Sequence, residues 1–187
     1  MLRASDPLPA RPQRVLVAGV TGVGKSTLAI RLARELDLPY TEIDALYHGP
    51  SWTPRPSFLD DVAALSASAR WVTEWQYSSA RAQLAARADL LVWLDYPAPV
   101  FLTRLIRRSV WRRLTHQELW NGNVEAPLWH LVTGRDGVIR WALSSSRNYR
   151  DLLRGLAETA PQVQIVRLRS QRQLDDWLAQ LPAASGD

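Results

Sequence analysis

The sequence predicts an α/β fold with a mainly parallel sheet. Three observations carry this. Short apolar or β-branched runs alternate with longer stretches of helical spacing. The first such run ends in a glycine-rich turn that leads straight into a helix. The run Leu90–Leu94 is apolar throughout, as expected of a central strand covered on both faces.

The elements follow in order. Residues 1–13 hold three prolines and read as a flexible N-terminal arm. Arg14 to Ala18 is a buried strand ending at Gly19. Leu28, Ala29, Leu32, Ala33 and Leu36 sit at helical spacing within 26–36, and Asp37-Leu38-Pro39 ends that helix. Tyr40 to Ile43 is a second short strand, followed by a three-proline loop from His48 to Pro56. Ser57 with Asp60 caps a helix to about Ser68, and Trp71 to Glu74 is a third strand. Ser78 to Ala88 is helical by composition, and Asp89 to Asp95 is the fourth strand. Pro97 and Pro99 interrupt the chain before a helix from Val100 to about Leu114. Its apolar stripe is Leu102, Ile106 and Val110, and Arg104, Arg107, Arg108 and Arg112 lie around another face. Residues 115–127 are irregular. A helical stretch runs from about Leu128 to Ala157 with a break near 134–137. Gln162 to Leu168 is the last strand, and Ser170 with Gln173 caps a helix to Leu181. Residues 14–181 thus form one domain, and 182–187 are a tail.

Composition narrows the function. The longest apolar run is five residues, far short of the ~20 that cross a bilayer. There is no cysteine, so disulfides and cysteine-ligated zinc are excluded. The first 13 residues have no apolar core and are not a secretory signal, so the cytoplasm is the default compartment. Net charge is +5, which suits an anionic partner. The charge is local: residues 101–154 carry ten arginines against four acids. Among 23 basic residues the one lysine is Lys25.

That lysine falls in Gly19-Val20-Thr21-Gly22-Val23-Gly24-Lys25-Ser26, which matches G-x-x-x-x-G-K-[ST] at every fixed position. A strand precedes it and a helix follows, as the chemistry requires. The glycines let the backbone turn N–H groups inward, and the helix N-terminus adds partial positive charge. Gly19, Thr21, Gly22, Val23, Gly24, Lys25, Ser26 and Thr27 are therefore the expected nucleotide-binding residues. Lys25 is expected on the terminal phosphates and Ser26 on Mg²⁺. The motif identifies a nucleoside triphosphate site without saying what happens to the phosphate.

In open α/β sheets ligands bind beyond the carboxyl ends of the strands. Asp44, Glu74 and Asp95 sit at such ends. A kinase uses one acid near Mg²⁺, often through water, and one that takes the proton of the attacking hydroxyl. Asp44 and Glu74 are the candidates for both roles. Asp95 reads equally as a cap or a metal-site acid.

These residues together resemble the small P-loop kinases related to adenylate kinase. The closer resemblance is to the bacterial DNA topology modulation proteins. It rests on Gly19–Thr27, Ile43-Asp44-Ala45-Leu46-Tyr47 with Ser51-Trp52, Trp71-Val72-Thr73-Glu74, Leu91–Asp95, the arginine helix and Val166–Ser170. It implies a three-layer α/β/α P-loop NTPase with a five-stranded parallel sheet in the order 2-3-1-4-5. It also implies an arginine-rich helical lid at about 101–154, and ATP with Mg²⁺ as phosphoryl donor. In these relatives the third strand commonly ends in Asp-Gly. Here it reads Glu74-Trp75-Gln76-Tyr77-Ser78, and the tryptophan is expected to crowd the phosphoryl-acceptor site. Arg81 lies where relatives carry an acceptor-binding arginine.

Arginines stabilise the charge that develops in phosphoryl transfer. Arg104, Arg108 and Arg147 are the lid candidates for catalysis, with Arg112 and Arg150 beside them. Arg169, with Ser170, is the guess for contact with the nucleotide base. Glu118–Glu125 suits a lid tip or an acceptor-recognition loop, and His48 follows Asp44 closely enough to touch an acceptor. Trp111, Trp120, Trp129 and Trp141 fit either helix packing or stacking on bases. The sequence therefore points to an ATP-dependent phosphotransferase acting on a small molecule, with a nucleotide among the candidate acceptors. The alternatives are a nucleotide-dependent regulator that binds nucleic acid, and an ATPase switch.

Overall fold

A computed structural model describes residues 1–8, 10–115, 118–119, 121, 123 and 138–181, with the side chains of 138–147 and 150 outside the description. In chain order the elements are β1 (Arg14–Gly19), α1 (Lys25–Leu36), α2 (Ile43–Tyr47), α3 (Phe58–Ala67), β2 (Trp71–Glu74), α4 (Ser78–Arg87), β3 (Leu90–Leu94), α5 (Ala98–Leu114), α6 (Val138–Thr159), β4 (Gln164–Leu168) and α7 (Gln171–Leu178).

The sheet is parallel, in the order β2-β1-β3-β4. Alternate residues of a strand face opposite sides, yet every residue of β2 and β3 is buried. Helices therefore cover both faces. The core runs through Val15–Ala18 and Leu90–Leu94 and outward to Leu32, Trp71 and Trp177.

The expected five strands reduce to four. Tyr40 forms a single parallel bridge to Val72, so its place in the order survives without a strand. The reason is local. Thr41 N–H still donates to the Val72 carbonyl, but the Ile43 N–H donates to the Glu74 carboxylate. From there the chain winds into α2 instead of extending. On the other edge Leu2 bridges to Val166, with its N–H on the Ile165 carbonyl. The N-terminal residues thus lie along β4.

Helix α5 differs from its predicted face. Phe101, Leu105 and Ser109 are buried, while Ile106 is exposed. Gly22 explains this. A Cβ there would come within 2.7 Å of Leu105 Cβ and of the Phe101 carbonyl oxygen. The helix backbone therefore packs directly on the glycine loop. It begins at Ala98 because a proline in the first helical turn loses no intrahelical hydrogen bond. At the end of the chain Ser170 caps α7 as expected, accepting from the Gln173 N–H at 3.2 Å.

Candidate functional site

The glycine loop joins β1 to α1 over the carboxyl end of the sheet. Gly22 and Gly24 have φ of 78° and 108°, conformations that side chains with a Cβ rarely adopt. Gly24 is the N-cap of α1, and neither a side-chain cap nor an acid occupies its first turn. The N-terminal N–H groups and the helix dipole are thereby left to serve an anion. Lys25 Nζ bends back to the Val20 carbonyl at 3.3 Å. Burial pushes its pKa down to about 8, against the opposing pull of Asp44 and Glu74. A desolvated ammonium beside inward N–H groups fits a triphosphate, and Ser26 with the neighbouring carboxylates fits its metal ion.

A cavity of about 1500 Å³ opens from this loop. Thr21, Gly22, Val23, Gly24, Lys25, Ser26 and Thr27 line it. Arg104, Arg107, Arg108 and Arg112 line it from α5. The packing of Phe101 and Leu105 on Gly22 turns Arg104, Arg108 and Arg112 this way, because they lie three, seven and eleven residues after Phe101 on one helical face. Arg104 is committed to structure: it donates to the Val23 carbonyl at 2.9 Å and to Gln171 Oε1 at 3.0 Å, with its guanidinium over the Tyr96 ring. It ties the glycine loop to α7. Arg108 is close enough to Lys25 to lower its pKa further.

The far wall carries Glu42, Asp44, Gln76 and Trp52. Asp44 Oδ1 accepts from the Tyr77 hydroxyl at 2.6 Å and from Gln76 Nε2 at 2.8 Å. His48 Nε2 lies 3.1 Å from the same hydroxyl. Since Tyr77 gives its hydrogen to Asp44, His48 must donate through Nε2–H. Burial lowers the pKa of His48 and raises that of Tyr77, so both are neutral near pH 7. Tyr77 holds φ at 51°, an outlier for a bulky residue. Its ring stacks on Tyr47, with centroids 3.9 Å apart. Strain of this kind persists where surrounding packing enforces it.

Glu74 is placed differently. It is 2% exposed and does not line the cavity. Its two oxygens accept from the Tyr40 hydroxyl at 2.7 Å and the Ile43 N–H at 3.1 Å. It holds the first turn of α2, and so positions Asp44. Its link to the phosphate loop runs through Tyr40, whose hydroxyl lies beside Ser26.

Other expected residues separate from the cavity. Asp95 is paired with Arg167. Arg169 lines a small groove by the N-terminus instead, and its N–H donates to Gln173. Trp75 does not crowd the cavity: it is buried, donates to the Arg81 carbonyl and lies against the Arg81 guanidinium. Arg81 is held between Trp75 and Tyr149. Arg147 and Arg150 belong to α6, but their side chains lie outside the described residues, as do Trp120, Trp129 and Trp141.

Sequence reasoning missed Glu42, Gln76 and Tyr77 as site residues. It placed Asn121 and Asn123 in an unusual loop but assigned them no partner. Asn123 is 5% exposed; its Oδ1 accepts from the Trp52 N–H at 3.0 Å and its Nδ2 donates to the Gly49 carbonyl at 2.9 Å. Asn121 Nδ2 donates to the His48 carbonyl. The available signal was the pair of asparagines flanking Gly122.

No family model matches the sequence, and no curated protein matches it. The fold is shared with solved structures of small kinases. A gluconokinase from Sinorhizobium meliloti 1021 superposes with a TM-score of 0.54 at 20% identity, over 91% of this chain and 92% of that one. A shikimate kinase from Acinetobacter baumannii in complex with shikimate gives 0.54 at 15% identity, over 90% and 89%. A shikimate kinase from Bacteroides thetaiotaomicron gives 0.52 at 16% identity, over 91% and 96%. Among the described residues no helix is long and apolar enough to cross a membrane.

Proposed function

We propose that the protein is an ATP-dependent kinase that moves the γ-phosphoryl group to a hydroxyl of a small molecule. The observation that carries this is the juxtaposition, in one cavity, of the glycine loop with Lys25 and a hydrogen-bonded carboxylate, Asp44, on the opposite wall. A pure ATPase needs no such second wall. The fold supports the reading, since the three kinases above share it. The sequence resemblance to DNA topology modulation proteins belongs to the same reading and adds no acceptor.

Backbone N–H groups of 21–27 and Lys25 hold the phosphates. Arg108 and Arg112 supply positive charge from α5, with Arg147 as the lid residue added from α6. Mg²⁺ held by Ser26 and cavity carboxylates would offset charge on the phosphate oxygens. Asp44 orients the attacking hydroxyl and takes its proton. Glu74 is the weaker candidate for that role, because both its oxygens are engaged and it is shut from the cavity. A nucleic-acid surface would turn the basic face outward, whereas four of the five arginines of α5 line the cavity.

The test is ADP release from Mg·ATP with a panel of nucleoside monophosphates, sugars and small alcohols, with Lys25→Ala in parallel. Stimulation by an acceptor, lost in the variant, is the expected result. Slow turnover indifferent to every acceptor would overturn the kinase reading in favour of an ATPase.

A further inference from the structure

Resting on the kinase reading for its metal–nucleotide site alone, we propose that Tyr40 is a positioning residue for the cation. It takes the hydrogen of the Ser26 hydroxyl, so that Glu74 acts on the metal through a phenol and not through a water molecule.

The phosphate-loop motif supplies a hydroxyl at Ser26 but does not say where its hydrogen points. A serine hydroxyl has one hydrogen and two lone pairs, and it rotates to suit its partners. On a helix it can turn that hydrogen back onto the carbonyl four residues earlier. A cation is held by oxygen lone pairs, so the hydrogen must be kept away from it.

The surroundings of Ser26 settle the direction. Glu74 is buried, and its carboxylate is fixed from two sides. One oxygen accepts from the Ile43 N–H at 3.1 Å and the other from the Tyr40 hydroxyl at 2.7 Å. A carboxylate only accepts, so the single phenolic hydrogen of Tyr40 is committed to Glu74. Tyr40 then has only lone pairs to offer Ser26, to which it is hydrogen-bonded. Ser26 is therefore the donor. The hydrogens run one way, from Ser26 to Tyr40 to Glu74. Ser26 lines the cavity, and its lone pairs are what it has left to present there.

The chain is built into the fold. Ser26 stands in the first turn of α1 and Glu74 ends β2. Tyr40 is held beside them by its bridge to Val72. Burial, with the Glu74 carboxylate next to it, raises the Tyr40 pKa well above that of an ordinary phenol, so the hydrogen stays in place. Hydrogen bonds in series polarise one another, and a buried carboxylate at the far end makes the Ser26 oxygen a better ligand. Partners standing behind a metal ligand are worth about 10–100-fold in metal affinity. Because Glu74 also holds the Ile43 N–H, one buried acid sets both Ser26 and the turn that carries Asp44.

The experiment uses the full chain with ADP and reads cation binding directly. Mn²⁺ is titrated into the protein–ADP complex and followed by electron paramagnetic resonance. ADP affinity in EDTA is measured by calorimetry. Tyr40→Phe removes the phenolic oxygen and keeps the ring. It should weaken Mn²⁺ binding about 10–100-fold and leave ADP affinity in EDTA within about twofold. The decisive comparison is a cycle with Ser26→Ala. Without the Ser26 hydroxyl, Tyr40→Phe should cost nothing further in Mn²⁺ affinity. A loss of equal size with and without that hydroxyl makes Tyr40 a structural residue and overturns the proposal. So does an equal loss in EDTA, or no loss at all. Should Tyr40→Phe fail a urea-unfolding check, Glu74→Gln reads the same chain from its other end. It keeps the volume, removes the charge and should weaken Mn²⁺ binding only where Ser26 is present. A wild-type chain that binds neither ADP nor Mn²⁺ overturns this proposal together with the nucleotide site of the kinase reading. Normal binding that is indifferent to Tyr40 overturns this proposal alone. Cation binding that depends on Tyr40, with no transfer to any acceptor, upholds it and overturns the kinase reading.

Discussion

The two ends of the cavity are built in opposite ways. The phosphate end comes from nine consecutive residues, Gly19–Thr27, whose conformation follows from three glycines between a strand and a helix. The far end is gathered from Glu42–Trp52, Glu74–Tyr77, Asn121 and Asn123, and no one segment holds its shape alone. The first end relies on backbone groups, which depend little on side-chain identity. The second relies on side chains that orient one another: Glu74 holds α2, Tyr77 holds Asp44, and Asn123 holds Trp52. Left-handed backbone marks both ends. At the first, it falls on glycines, which adopt it without strain; at the second it falls on Ser51, Trp52 and Tyr77, where it is strained. Where strained residues must also carry a side chain, the tertiary contacts have to enforce the conformation.

This contrast can be broken or sharpened by experiment. The largest effect is expected from Asp44→Asn, which keeps the size and the accepting oxygen but removes the charge. Its kcat for phosphoryl transfer should fall by about 10²–10⁴ with nucleotide affinity little changed. An unchanged kcat would mean that the far wall does not take part in the chemistry. Gly22→Ala tests the first end. It adds a Cβ 2.7 Å from Leu105 Cβ at a φ of 78°. Overpacking and left-handed strain together should cost about 2–5 kcal/mol in urea unfolding, and nucleotide affinity should drop with it. Asn123→Ala tests the second end, by leaving the Trp52 N–H and the Gly49 carbonyl without their partner. A loss of about 1–3 kcal/mol is expected in the same assay.

Tyr77→Phe should preserve the stacking on Tyr47 and remove one hydrogen bond to a carboxylate. A fall of about tenfold in kcat is the expected size, since such bonds are worth ~1.5–3 kcal/mol when charged. The smallest effect concerns protons. Lys25 titrates near pH 8 in the free protein, and a triphosphate favours its charged form. ADP binding should therefore take up a fraction of a proton at pH 8–9 and almost none at pH 6. Calorimetry in two buffers of different ionisation enthalpy measures this. The same depressed pKa means that the unfolded chain binds more protons between about 8 and 10.5. Lys25's own contribution to stability should then rise with pH across that window.

By itself the sequence determined the α/β class, the register of strands to helices and the phosphate loop. Each of these is local: β2 spans Trp71–Glu74 as its residues predict, and the loop motif needs only its neighbours in the chain. Apolar spacing and glycine conformation act over a few residues, so they can be read from a few residues. The sequence also marked Asp44 and Glu74 as a pair without separating them. Only the tertiary structure did that, because the difference lies in which partners surround each acid. Glu74 is consumed by Tyr40 and Ile43, and Asp44 is propped towards the cavity by Gln76 and Tyr77. The same holds for the edge strand that shrank to Tyr40, the one-residue shift of the α5 face at Gly22 and the clamp on Trp52. Each depends on a contact across 30 residues or more, where side-chain geometry and not local propensity sets the outcome.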